Sequence, residues 1–391
     1  MPAKKNFQIR ELVLPVYLPA MLFSIGEAGL IPIIPASAER LGADIPTAGL
    51  IAGLVMMGTL AADLPAAKFV NRVGERKSMI WASAAAALGI LFAVFAANIF
   101  MIGLGVFILG GSAAIFGLAR HAYIAETVPV NQRARALSVL GGMFRIGTFI
   151  GPLLGASVIV TLGIEFVYWN AVIFCGAAGI VLLFTHPEKM LNTPPDNGGS
   201  VWKIAKLHRR TLLTLGTASM IVAMSRTARF IGLPLWALFI GLDAAETSLY
   251  IGIAGAIDFT LFYLGGQIMD KYGRKAAAIP TLLGMSLCLA LVPVTSDGST
   301  FLTVAIMMAL ANGVGSGLVM VIGADASPAV GRNEFLAGYR FLMDAGVAAT
   351  APIMSLITVI ASLSGAMFFM SGLAVIGAVF MYRYLPTHKR T

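Results

Sequence analysis

Nine ionisable side chains sit inside long apolar runs of this 391-residue chain: Glu27, Asp63, Arg120, Arg145, Arg226, Arg229, Asp258, Arg340 and Asp344. In hydrocarbon each costs at least about 2.5 kcal/mol unless it is paired or watered, so such residues mark proton relays, ion pairs or ligand contacts. Glu27 is the acid nearest mid-depth in the first half of the chain and the first candidate to take up and release a proton. Asp344 and Asp258 are the other two. Arg226, Arg229 and Arg145 are candidates to hold counter-charge or to grip an anionic substrate, since a guanidinium binds a carboxylate in a bidentate fork. No nucleophile–base arrangement and no metal-ligand spacing accompanies them. With two Cys, Cys175 and Cys288, each in an apolar run, and four scattered His, no metal and no disulfide framework is expected. No phosphate-binding glycine loop is present, so ATP is not the expected energy source. The chain reads as a non-enzyme without a cofactor.

The elements that must position these charges follow from composition. Hydrophobic residues make up 58% and charged residues 12%, about half the charged share of a soluble domain. A membrane span needs about 20 apolar residues, and about twelve such stretches can be counted, six in each half. The fold class expected is therefore an all-α membrane protein, twelve transmembrane helices in two pseudo-symmetric six-helix bundles. Residues 1–187 form the first bundle and 211–391 the second. Between them, 188–210 form a cytoplasmic linker, polar and turn-rich up to Ser200. A short amphipathic helix then turns Trp202, Ile204, Ala205 and Leu207 toward lipid.

The halves repeat at a fixed interval. Gly74 and Gly273 lie 199 positions apart, and the same interval maps Pro35 onto Pro234, Gly53 onto Gly252, Glu126 onto Asp325 and Arg133 onto Arg332. Parallel halves in an apolar chain mark an alternating-access transporter with its binding site between them. The interval also sets Glu27 against Arg226 and Arg145 against Asp344, opposite charges at equivalent positions. The net charge of +9 gathers in alternate loops, at 72–77, 132–135, 203–210, 271–275 and both termini. By the positive-inside rule these loops, both termini and the linker are cytoplasmic, in a plasma (inner) membrane. The charge thus speaks of lipid contact and not of nucleic acid, and a monomer is expected.

Two motifs give the chain a family resemblance. Gly266, Ile268, Asp270, Lys271, Gly273, Arg274 and Lys275 resemble the loop after the second span of the major facilitator superfamily, Gly-x-Leu-x-Asp-Arg-x-Gly-Arg-Lys. The first-half copy keeps Arg72, Gly74 and Arg76 but carries Ala67, Asn71 and Glu75 where Gly, Asp and Arg are usual. In the fifth span, Gly147, Gly151, Pro152 and Gly155 are similar to the Gly-x-x-x-Gly-Pro-x-x-Gly-Gly motif of the family's drug/proton antiporters, with Ala156 in the last place. One family feature is missing: Val106 and Phe107 stand where such antiporters carry a mid-span Arg, and Arg120 lies about three turns nearer the cytoplasm.

The resemblance implies the major facilitator fold, with the first span of each half lining a central cavity and the fifth and eighth spans facing each other. On that basis Arg145 is expected to pair with Asp258, Asp63 with Arg340, and Glu27 with Arg226. A cytoplasmic gate is expected from Asp63, Arg72, Gly74, Arg120, Glu126, Arg133, Asp270, Gly273, Arg274 and Arg340. The function expected is a proton-coupled secondary transporter that exports amphipathic drugs or a small metabolite, its partners being that substrate, protons and lipid. An importer or exchanger of organic anions is the alternative, and a non-transporting membrane sensor stands well behind both.

Overall fold

The structure, a computed structural model, describes residues 9–185, 201–328 and 330–386. Lys4, Lys5 and the linker from 188 to 200 lie outside the described residues. All regular structure among those described is helical. We number the long helices α1 (Leu18–Leu30), α2 (Ile45–Val73), α3 (Glu75–Val94), α4 (Ile99–Thr127), α5 (Val130–Leu162), α6 (Glu165–Leu183), α7 (Thr217–Phe239), α8 (Ala244–Tyr272), α9 (Arg274–Leu291), α10 (Gly298–Val314), α11 (Arg332–Ile360) and α12 (Leu363–Tyr384). A short helix, Leu318–Ala326, prolongs α10 beyond a break. Eleven of these helical stretches are long and apolar enough to cross a bilayer. The exception is α7, which carries Arg226 and Arg229 in its middle. Helices are the form a chain must take there, because hydrocarbon offers no partner to an open backbone N–H or C=O.

The chain resolves into two compact units. One takes in the first half except for Ile34–Gly53; the other takes in Ile34–Gly53 and the second half. Within the first unit α1 packs on α5 and α6, and α3 on α4 and α6. Within the second, α7 packs on α11 and α12, and α9 on α10 and α12. These four pairings of the first unit recur between the equivalent helices of the second. Segment Ile34–Gly53 is held by small residues. Gly53 lies against the Ala351 side chain, Gly49 against Leu235, and Ser355 Oγ donates to the Pro46 carbonyl at 2.9 Å.

Two of the turns repeat along with the helices. Gly42 (φ 90°) and Gly241 (φ 76°) are 199 positions apart, as are Gly74 (φ 89°) and Gly273 (φ 85°). All four take the left-handed backbone that glycine adopts without cost. The helix starts match too. Asp44 and Asp243 each accept a backbone N–H at the start of α2 and α8, and Asn98 and Asp297 do so for α4 and α10. The Asp297 carboxyl is pulled down to about 2 by Ser299 and Thr300, and the Asp44 carboxyl is lowered by its bonds from Thr47. Both are therefore anionic N-caps at neutral pH, which suits the positive end of the helix dipole.

Val201–Leu207 forms the expected short helix after the linker. Trp202 and Leu207 are exposed, as the amphipathic pattern predicts. Ile204 is the correction. It turns away from lipid and packs on Gly331 at the start of α11 and on the second unit's core.

Candidate functional site

In the first half the site is built by backbone contact between α1 and α5. A Cβ on Gly147 would collide with the Ser24 side chain. One on Gly151 would lie 2.6 Å from the Ile25 carbonyl oxygen and 2.7 Å from the Gly29 nitrogen, and one on Gly155 would touch the Gly29 carbonyl at 3.5 Å. Ser24 Oγ adds a hydrogen bond to the Phe144 carbonyl at 2.9 Å. On the other side of α1, Gly26 leaves room for Cys175, whose role is packing. The antiporter-like motif is therefore a seam that fixes the helix of Glu27, with Pro152 removing one backbone donor inside α5.

Glu27 is half-buried, and the charge of Arg120 on α4 reaches it. The Arg120 guanidinium lies over the Phe144 ring at 5.4 Å, and its Nε is buried without a hydrogen bond. A stacked pair, Phe23 on Phe116 at 4.4 Å, packs beside them. Arg120, assigned to the gate from its position along the span, is thus also a cation whose charge reaches Glu27. Nearer the start of α1 an apolar cavity of about 270 Å³, walled by Tyr17, Met21, Val139 and Met143, has Arg10 as its one basic group.

In the second half the charges form a network of three helices. Arg229 Nη1 of α7 lies 3.4 Å from Asp258 Oδ2 of α8, and Asn312 Nδ2 of α10 donates to the same oxygen at 2.8 Å. Arg226 Nη2 donates to the Gly315 carbonyl at 2.7 Å, in the break after α10. The sequence paired Asp258 with Arg145 and left Arg229 as a neighbour of Arg226; the structure gives Asp258 an arginine and an amide from its own half. Asn312 carries no charge and was not singled out. Its signal was an amide in an apolar run just before Gly313-Val314-Gly315-Ser316-Gly317.

Asp344, expected among the proton-coupling acids, has Arg340 one turn away at 3.3 Å. Arg340 was expected opposite Asp63. Asp63 and Arg145 are half-buried on α2 and α5. The pairs Arg229–Asp258 and Arg340–Asp344 each lie within the second half.

The gate residues divide by motif copy. Arg274, just after Gly273, makes a 2.9 Å ion pair with Asp325 and donates to the Met269 carbonyl. In the first half Arg76 caps the end of α6 through Leu182 and Leu183, and Arg133 Nε donates to the Val128 carbonyl at 2.9 Å. Arg72 and Asp270 are exposed. The positions equivalent to Arg274 and Asp325 are Glu75 and Glu126, two acids whose charges reach each other. Two acids in this position repel where an arginine and an acid attract.

Twelve long helices in two equivalent halves, eleven of them long and apolar enough to cross a bilayer, define the class: an all-helical integral membrane protein. A family model described as Major Facilitator Superfamily matches residues 16–329 and, in a second match, 264–391. The chain belongs to the major facilitator superfamily. The family is one of transporters. An uncharacterised MFS-type transporter of Mycobacterium tuberculosis is 23% identical over 197 residues, 49% of this chain. The match spans only 28% of that relative's length. The class B tetracycline resistance protein of Escherichia coli is 23% identical over 62% of both chains. The citrate-proton symporter of Salmonella typhi is 25% identical over 56% of this chain and 54% of its own. Among solved structures, a D-xylose-proton symporter superposes with a TM-score of 0.75 at 15% identity, covering 97% of this chain and 99% of its own.

Proposed function

We propose that the protein is a proton-coupled exporter of amphipathic drugs or a small metabolite, working by alternating access. The observation that carries the reading is the seam of Gly147, Gly151 and Gly155 that holds the helix of Glu27 in backbone contact with α5, with the charge of Arg120 reaching Glu27. An acid on a rigid helix with a cation in reach can exchange its proton against that cation or a substrate charge. Asp258 is the corresponding acid of the second half, and Asp344 a further one. Similarity to the tetracycline resistance protein supports export. In this reading both termini are cytoplasmic, the membrane is the plasma membrane and the protein acts as a monomer. The first bundle is 1–187 and the second 211–391, with gate residues at the ends that carry the basic loops.

A specific observation favours a second reading. Arg120, Arg226 and Arg229 all lie in the interior, and one relative is a citrate-proton symporter. Import or exchange of an organic anion is the alternative that fits this.

Substitution Glu27→Gln should abolish proton-driven accumulation in proteoliposomes while leaving substrate exchange in place. A tetracycline and citrate panel serves for detection, alongside a proton-flux dye. Accumulation by the Gln variant against an imposed proton gradient would remove Glu27 from the coupling role.

A further inference from the structure

Asp258 is where three helices of the second half meet. It stands on α8; α7 reaches it through Arg229, and α10 through Asn312. Both donors converge on one oxygen, Oδ2, at 3.4 and 2.8 Å. The other oxygen, Oδ1, is buried and has no hydrogen-bond partner. The same is true of Asn312 Oδ1 on the amide that grips the carboxylate. Asn312 is 8% exposed.

Bare buried acceptors are costly, and natural structures leave few of them. Here two belong to a bonded pair, and both lack a donor. One proton supplies what is missing. Placed on Asp258 Oδ1, it satisfies that atom and offers an O–H to Asn312 Oδ1. The amide N–H already reaches Oδ2, so the second bond closes the ring of an acid–amide pair. Oδ2 is then the carbonyl oxygen of a carboxylic acid. It still accepts from Arg229 and Asn312, so neither existing bond has to break.

The amide is well placed to hold still while this happens. Its helix ends two residues later at Val314, Gly317 takes φ 78°, and Arg226 ties the Gly315 carbonyl to α7. From this geometry we infer that Asn312 is a positioning residue for Asp258: it fixes Oδ2 and directs the coupling proton to Oδ1. The inference rests on the reading of Asp258 as a proton-binding acid.

Infrared difference spectroscopy tests it on the full chain in lipid bilayers, with buffer pH as the only probe. The wild type should show a carboxylic-acid C=O band that grows as pH falls, and Asp258→Asn should remove one component of it. If Asp258→Asn removes nothing, Asp258 takes no proton and the proton-binding reading fails. With that component established, Asn312→Leu should shift it to higher wavenumber, because an acid outside the ring loses a hydrogen bond at its carbonyl. Asn312→Gln should bring the band back toward the wild-type position. Asn312→Ser provides a smaller change, should the Leu variant not fold, and should also shift the band upward. An Asp258 band at an unchanged position in the Leu or Ser variant overturns the positioning role.

Discussion

Arg229→Leu should be the most damaging single charge change in the second half. Arg229 and Asp258 are 7% and 14% exposed at the side chain, so the substitution strands a carboxylate among α7, α8 and α10. Removing one partner of a buried ion pair costs about 3–5 kcal/mol. Asp258 also begins with one oxygen bare, so it has no reserve partner beyond Asn312. The loss should appear as a lower thermal midpoint of the purified protein in detergent. The companion Asp258→Asn removes the stranded charge, and the double variant should recover most of the drop. The interaction energy from that four-protein cycle is expected to be favourable by more than about 1 kcal/mol. Additive losses in the cycle would mean that the 3.4 Å contact contributes no coupling.

Gly151→Ala is the second large effect, and it comes from a single methyl group. The added carbon would meet backbone atoms of Ile25 and Gly29, which cannot rotate away as a side chain can. The helices α1 and α5 must separate, and overpacking of this kind costs typically about 1–3 kcal/mol. Glu27 rides on the displaced helix, so activity should fall more than stability. Gly142→Ala on the same helix is the control, because a Cβ there meets nothing within 4 Å. Thermal midpoint and proton flux should both fall at 151 and stay near wild type at 142. Equal behaviour at the two positions would show that the seam is not closely packed.

What was legible in the sequence divides along physical lines. The 199-residue interval reads directly because turns need glycine at positive φ wherever they recur, and Gly74 and Gly273 show it. Membrane helices read from apolar run length. Even α7 was counted among the apolar stretches, although two arginines lower its hydropathy. Pairing partners did not read. Depth along a helix says how far a charge sits from an interface, but not which way round the helix it points. Asp258 was therefore matched with Arg145 by depth, while the structure pairs it with Arg229. Asn312 escaped because an uncharged amide costs less in hydrocarbon than a charge, and so stands out less. Ile204 escaped for a related reason: an apolar residue suits lipid and protein interior equally, and hydropathy does not distinguish them.

The matched turns at Gly74 and Gly273 make the halves alike in shape and unlike in what they can exchange. Arg274 holds Asp325, whereas the charge of Glu75 reaches Glu126. Move the second-half turn into the first, and an arginine would face Glu126, which is an attractive partner. Move the first-half turn into the second, and a glutamate would face Asp325, which is a repulsive one unless a proton comes with it. The traffic between the two copies is therefore one-way. A backbone repeated almost angle for angle carries an electrostatic polarity that superposition of the halves does not reveal, and it lets one turn serve in either place while confining the other to its own.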